Sequence, residues 1–233
     1  MGNGVLAEPD LRSAATRAQE DYLKALYSLQ GDRRRVPTGE LAQRLGISSP
    51  SVSEMVGRLV EHGLVTHDRY HGQRLTEEGR RVALELVRHH RLLEMFLVQM
   101  LGYSWDEVHD EAERLEHVIS ERMEERIFEL LGRPDLDPHG HAIPSRDGEV
   151  RSVSDRPLSD CQAGERVVVR VVSDSDPERL RELVRRGLVP GKQLHVLAGT
   201  RYESPIEARA GGRKVSVPLG LAREIFVEDV TGG

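Results

Sequence analysis

Residues 38–75 constrain the fold more tightly than any other stretch. Gly46-Ile47-Ser48 reads as a tight turn between two short apolar-faced segments. Before it, Gly39–Leu45 turns Leu41, Ala42 and Leu45 inward. After it, a segment starting at Ser48 or Ser49 repeats Val52, Val56, Leu59 and Val60 at helical spacing. Pro50 falls in the first turn, where its missing N–H costs nothing, and a serine is a natural cap. Gly63 ends this helix. Leu64–Tyr70 and Gln73–Leu75, joined through His71-Gly72, read as a hairpin. Short helix, turn, second helix and hairpin form the winged helix-turn-helix pattern. Leu41, Leu45, Ile47, Val52, Val56 and Leu59 are expected to lock its two helices together.

The rest of the chain falls into helical and β-rich parts. Residues 1–15 read as a polar tail, followed by a helix over roughly 17–31 with Tyr22, Leu23, Leu26, Tyr27 and Leu29 on its apolar face. Thr76 caps a long helix reaching about Met100, and Gly102 interrupts it. A further long helix is expected from Ser104 to Leu131. From Gly132 to Pro157, Pro and Gly accumulate as in a connecting segment. Strands are expected at Arg166–Val172, Gln193–Leu197, Ile206–Ala210, Lys214–Val217 and Ile225–Val230. One short helix lies among them, from Asp176 to Gly187, and Gly211-Gly212 is a hairpin turn. This suits a small SH3-like barrel. The fold class is therefore mainly α, with a winged helix-turn-helix first, a helical domain second and an SH3-like β-barrel last.

Bulk properties exclude several classes. No apolar run approaches the ~20 residues that span a bilayer, and the first residues lack the pattern of a secretory signal. Cys161 is the one cysteine, so no internal disulfide can form. The expectation is a cytoplasmic protein without a membrane partner. The net charge of −6 is unevenly spread: residues 1–80 balance, while residues 81–143 hold 7 Lys/Arg against 14 Asp/Glu. An acidic middle suits a cation, and a neutral first third can still present a basic face.

The outward residues of the second short helix are small and polar: Ser48, Pro50, Ser51, Ser53, Glu54, Gly57 and Arg58. Such a face can enter a major groove, where Ser donates or accepts and Glu54 can accept from cytosine. Arg58, Arg69 and Arg74, with Arg12 and Arg17, are candidate phosphate contacts. A helical hairpin for protein contacts would show the same periodicity, but its solvated face would carry more Lys and Glu. His62, His67 and His71 match no compact ligand set and read as surface histidines.

His109-Asp110-Glu111-Ala112-Glu113-Arg114-Leu115-Glu116-His117 carries the second signal. At about 100° per residue, His109, Glu113, Glu116 and His117 share one polar stripe beside the apolar Val108, Ala112, Leu115 and Ile119. Clustered, partly buried carboxylates call for a cation. His90 and Glu94, four apart on the preceding helix, can face that stripe, as in metal sites built inside helical bundles. Asp21 can complete a set. Charges four apart also describe a solvated helix face, and spacing alone does not choose between the two.

Several segments in order resemble the DtxR/MntR family of metal-dependent transcriptional regulators: Asp21–Tyr27, Ser49–Ser53, Arg69-Tyr70-His71-Gly72, Leu75–Gly79, His89–Glu94, Val108–His117 and Asp137–Pro144. The resemblance implies a homodimer that binds double-stranded DNA at a palindromic operator when loaded with metal. It puts Asp21, Glu113, Glu116 and His117 on primary metal-ligand positions and His90, Glu94 and His109 on an ancillary site. Asp174 or Asp176 stands near the position where the C-terminal domain adds a ligand, and Asp137 stands where some members have a cysteine ligand. The iron-responsive branch has methionine and cysteine at the positions of Asp21 and Glu113. Oxygen donors there favour the harder Mn(II), with Fe(II) or another divalent transition metal as the alternative. Lys24 stands where short manganese-responsive members carry an acid, which argues against a closely bridged pair of ions.

The implied division is a DNA-binding domain over 1–82, a metal-binding and dimerisation domain over 83–145, a linker over 146–158 and an SH3-like, FeoA-type domain over 159–233. Leu92, Leu93, Phe96, Leu97, Met100, Ile127 and Phe128 are candidates for the dimer interface. The expected function is a non-enzymatic transcription regulator of metal-homeostasis genes, in which metal fixes the two DNA-reading heads at operator spacing. A metallohydrolase using the Glu/His cluster is the alternative from another class. It lacks a nucleophile motif, a phosphate loop and a separate general base.

Overall fold

A computed structural model describes residues 15–31, 35–174, 176–199 and 204–230. Arg12 and most of the expected N-terminal tail lie outside them. The chain divides into two compact units: residues 1–88 with 146–148, and residues 89–145 with 149–233.

The first unit opens with α1 (Arg17–Gln30), α2 (Thr38–Leu45) and α3 (Ser49–Glu61). Thr16 and Gln19 close a capping box at the start of α1. Gly46 ends α2 in the left-handed region (φ 66°), and Ser48 accepts from the Ser51 N–H to start α3. The turn chemistry read from the sequence is therefore present at both helix ends. β1 (Val65–Asp68) and β2 (Gly72–Leu75) form an antiparallel hairpin. Val36 bridges to Gln73, so a third segment backs the wing. Leu23, Leu26, Val36, Leu41, Val52, Val56, Leu59, Val65 and Leu75 build one core. Two expected core residues are largely outside it. Ile47 is 39% exposed in the turn, and Val60 is 41% exposed. Val60 lies about 100° around the helix from Leu59, past the edge of the buried stripe.

α4 (Glu77–Leu101) contains the boundary between the units. Gly102, at φ 73°, stops it. The expected helix from Ser104 to Leu131 is two helices: α5 (Val108–Leu115) and α6 (Glu121–Leu130). Ser120 adopts an extended backbone and accepts from the Met123 N–H, a fresh N-cap that overrides the continuous periodicity. Leu92, Leu93, Leu97, Val108, Ala112, Ile119, Ile127 and Ile143 pack together. Leu92, Leu93, Leu97 and Ile127 are thus core of one protomer rather than free interface. Phe96 and Phe128 are partly buried, and Met100 is exposed.

The second unit also holds β3 (Arg166–Val172), α7 (Pro177–Arg186), β4 (Gln193–Ala198), β5 (Ile206–Ala210), β6 (Arg213–Val217), α8 (Leu219–Ala222) and β7 (Ile225–Asp229). The strands form one antiparallel sheet in the order β6-β5-β4-β3-β7. Val167, Val169, Leu194, Val196 and Val227 fill its core, as alternation predicted, together with Leu180 and Leu183 from α7.

The Pro/Gly-rich stretch after α6 is not a loose connection in its first half. Leu136 bridges to Ala142, and the Gly140 N–H donates to the Asp137 carbonyl (3.1 Å), a tight turn with Pro138 and Gly140 in favoured places. The Val172 N–H donates to the His139 carbonyl (3.0 Å), which fastens this turn to the end of β3. Further on, the Val227 N–H donates to the Arg156 carbonyl (2.9 Å).

Candidate metal centre

The turn and α4 bring donors together inside the second unit. Asp137, His139, His141 and Asp174 each present a ligand atom within 4.8 Å of the others. Glu94, His109 and Asp174 do the same, as do His90, His109 and Glu113. Asp137 Oδ1 accepts from the backbone N–H of His139 (2.8 Å) and of His141 (2.9 Å). That leaves Oδ2 facing His141 Nδ1 at 3.2 Å and Arg91 Nε at 3.6 Å. Asp174 Oδ2 lies 3.7 Å from the same His141 nitrogen.

On α4, His90 Nε2 lies 3.0 Å from Glu94 Oε1 and 3.1 Å from His109 Nδ1. His90 Nδ1 lies 2.5 Å from Glu116 Oε2. His109 Nε2 and Glu113 Oε1 are 3.8 Å apart, and His117 Nε2 and Glu116 Oε1 are 3.6 Å apart. His89 Nδ1 faces the Glu116 carbonyl at 3.2 Å, and since a carbonyl only accepts, the ring donates there. His89 therefore steadies the end of α5 from which the Glu116 side chain projects.

The charges are deeply buried. The Glu94, Glu116 and Asp137 side chains are 0% exposed. Burial works against ionisation of Glu94, yet the surrounding His90, His109 and His139 hold it well below the usual carboxylate range. Asp174 is lowered too: burial and the Glu94 charge oppose this, and His141, His139 and His109 together outweigh them. Burial works to discharge His139 and His141, but Glu94 beside the first and Asp137 beside the second raise them above the ordinary value.

The donors fit a divalent metal. His139 is fully buried, and neither ring nitrogen has a hydrogen-bond partner; its nearest anion, Glu94 Oε2, is 3.6 Å away and is also unpaired. Unsatisfied buried groups of this kind are costly unless something binds them. All these donors are nitrogen or oxygen. Cys161 is buried in the core of the sheet domain instead.

Asp176 does not join the cluster. It caps α7, accepting from the Glu178 N–H (2.9 Å) and the Arg179 N–H (3.4 Å). Asp21 lies half-buried on α1, in the first unit. In that unit Ser48, Pro50, Ser51, Ser53, Glu54 and Arg58 are exposed along α3. Arg58 donates to Glu54 at 2.6 Å. Arg69 and Arg74 are exposed on the hairpin, and Arg17 on α1.

The description "Iron dependent repressor, N-terminal DNA binding domain" matches residues 15–73, "Iron dependent repressor, metal binding and dimerisation domain" matches 76–145, and "FeoA domain" matches 156–229. The iron-dependent repressor IdeR of Mycobacterium tuberculosis is 32% identical, covering 91% of this chain and 96% of its own. The chain belongs to the DtxR/MntR family of metal-dependent transcriptional repressors. The diphtheria toxin repressor of Corynebacterium glutamicum is 31% identical over the same shares. Among solved structures, a manganese-dependent transcriptional repressor in complex with manganese superposes with a TM-score of 0.84 at 42% identity, covering 91% of this chain and 100% of that one.

These family members are DNA-binding repressors, not enzymes, which removes the metallohydrolase reading. Among the described residues, no helix is long and apolar enough to cross a membrane. His139 and His141 fall in the Asp137–Pro144 segment that resembles the family, but the sequence alone gives them no role. Only the fold of the turn against β3 brings them to Asp174. Their spacing around a Pro-x-Gly turn is the local signal that could have found them.

Proposed function

We propose that this chain is a Mn(II)-responsive homodimeric repressor that binds a palindromic operator and controls metal-homeostasis genes. One observation carries the choice of metal. Every donor in the clusters is oxygen or nitrogen, and the only cysteine is buried elsewhere. Hard donors suit Mn(II) better than thiolate or thioether would.

On this reading Asp21, Glu113, Glu116 and His117 hold the primary ion. His90, Glu94 and His109 form the second site, extended by Asp174, Asp137 and His139. The ion supplies positive charge that lets buried carboxylates stand together. The side chains do the rest: Asp21 contributes from the DNA-reading unit and the Glu113–His117 segment from the helical unit, so ligation restrains the reading head. Ser51, Ser53 and Glu54 read bases, while Arg58, Arg69 and Arg74 neutralise phosphates. The dimerisation match over 76–145 supports the homodimer.

Fe(II) is the second reading, favoured by the iron-dependent relatives at 31–32% identity. Anaerobic titration of the metal-free protein with Mn(II) and with Fe(II), read by operator binding, separates the two. Half-activation at lower free Mn(II) supports the first. Activation by Fe(II) alone would replace it.

A further inference from the structure

We propose that His141 is itself a metal ligand, so that the second site takes two imidazoles from one tight turn. The inference rests on the metal-binding reading above and goes beyond it in assigning this residue.

The backbone makes the arrangement. Gly140 sits at φ 92°, and a Cβ there would fall 1.9 Å from the Arg170 carbonyl oxygen. Glycine alone lets the turn lie this close to β3. The hydrogen bond from the Val172 N–H to the His139 carbonyl then fixes its register. Asp137 Oδ1 is committed to the N–H groups of His139 and His141, and its Oδ2 faces the His141 ring. Their centroids are 6.4 Å apart.

His141 Nδ1 faces two carboxylate oxygens, Asp137 Oδ2 at 3.2 Å and Asp174 Oδ2 at 3.7 Å. An independent observation points to a ligand at the same place. His139, fully buried, offers two ring nitrogens with no hydrogen-bond partner, and Glu94 Oε2 beside it has none. A single cation within reach of this group satisfies His139 and takes up the lone pair of His141 Nδ1. The cost is one hydrogen bond to Asp137. Each imidazole added from the turn shifts this site further toward ions that accept nitrogen donors, such as Co(II) and Zn(II).

The test uses the full chain and Co(II). Ring N–H protons of Co(II)-bound histidines appear as strongly shifted proton resonances, one per bound ring. The wild type is expected to lose one such resonance in His141→Gln, with weaker Co(II) affinity at one site by about 10-fold or more. Circular dichroism melts of the metal-free proteins check that the variant folds. As a second readout on the unaltered chain, Co(II) should protect His141 from diethyl pyrocarbonate, mapped by mass spectrometry. An unchanged set of shifted resonances in His141→Gln, or modification of His141 as fast with Co(II) as without, would overturn this proposal alone. Failure of the wild type to bind Co(II) at all would overturn the metal reading with it.

Discussion

The indole of Trp105 lies against the imidazole of His139, with ring centroids 5.2 Å apart and planes inclined by 55°. Trp105 also packs on the core of the sheet domain, and it is the only tryptophan in the chain. Its emission should therefore report directly on events at His139. Titration with Mn(II) is expected to change Trp105 fluorescence, and His139→Leu to abolish that change while leaving ions elsewhere bound. Emission that stays flat while equilibrium dialysis shows two ions bound would contradict this placement.

Gly140 is a second sensitive point. Gly140→Ala forces a left-handed alanine against the Arg170 carbonyl, at a cost on the order of 3 kcal/mol. Urea denaturation should show this loss, and metal binding at the second site should weaken with it. A loss below about 0.5 kcal/mol would mean the turn moves away from β3 easily.

Arg58 is held by Glu54 when no DNA is present. Both are exposed, so this pair adds little stability and Arg58 is free to turn to a phosphate. Arg58→Ala should weaken binding about equally across sequences. It should also lower the slope of log affinity against log salt by about one. An unchanged salt slope would take Arg58 out of the phosphate contacts.

The buried charges set a pH dependence with a definite sign. His139 and His141 are raised above the ordinary value, so their contribution to metal-free stability is complete below it and is lost as pH climbs through the raised value. Glu94 and Asp174 are lowered, so theirs is present above the ordinary carboxylate value and lost as pH falls through the lowered one. The metal-free protein should be most stable between about pH 4 and pH 6.5. Ligation requires the rings to give up protons, so the extra stability from Mn(II) should grow from pH 6 to pH 8. Paired thermal melts with and without Mn(II) read both trends, and a gap that narrows with rising pH would contradict them.

Local signals were readable where local physics decides. Thr76, Ser48, Pro50, Gly46 and Gly102 mark helix ends by backbone rules, and they are found at or beside those ends. The β-rich unit was readable from alternation. What failed depended on competing or distant contacts. The periodicity of Ser104–Leu131 is helical throughout, but Ser120 restarts the helix. Asp176, read as the start of the short helix before Pro177, is its N-cap, which leaves Asp174 for the cluster; that Asp174 reaches the turn depends on contacts distant in sequence. His139 and His141 were hidden by their Pro/Gly setting. Their burial comes from β3, some thirty residues away in sequence, and not from any periodicity of their own.

On the proposed mechanism, metal controls DNA binding through the Glu113–His117 segment. The direct measurement is fluorescence anisotropy on a palindromic duplex selected from random sequence by the Mn(II)-loaded protein. Tight binding with Mn(II), its loss on adding chelator, and its absence in Glu113→Ala with Mn(II) present are the predicted results. Equal affinity with metal and with chelator would contradict the account.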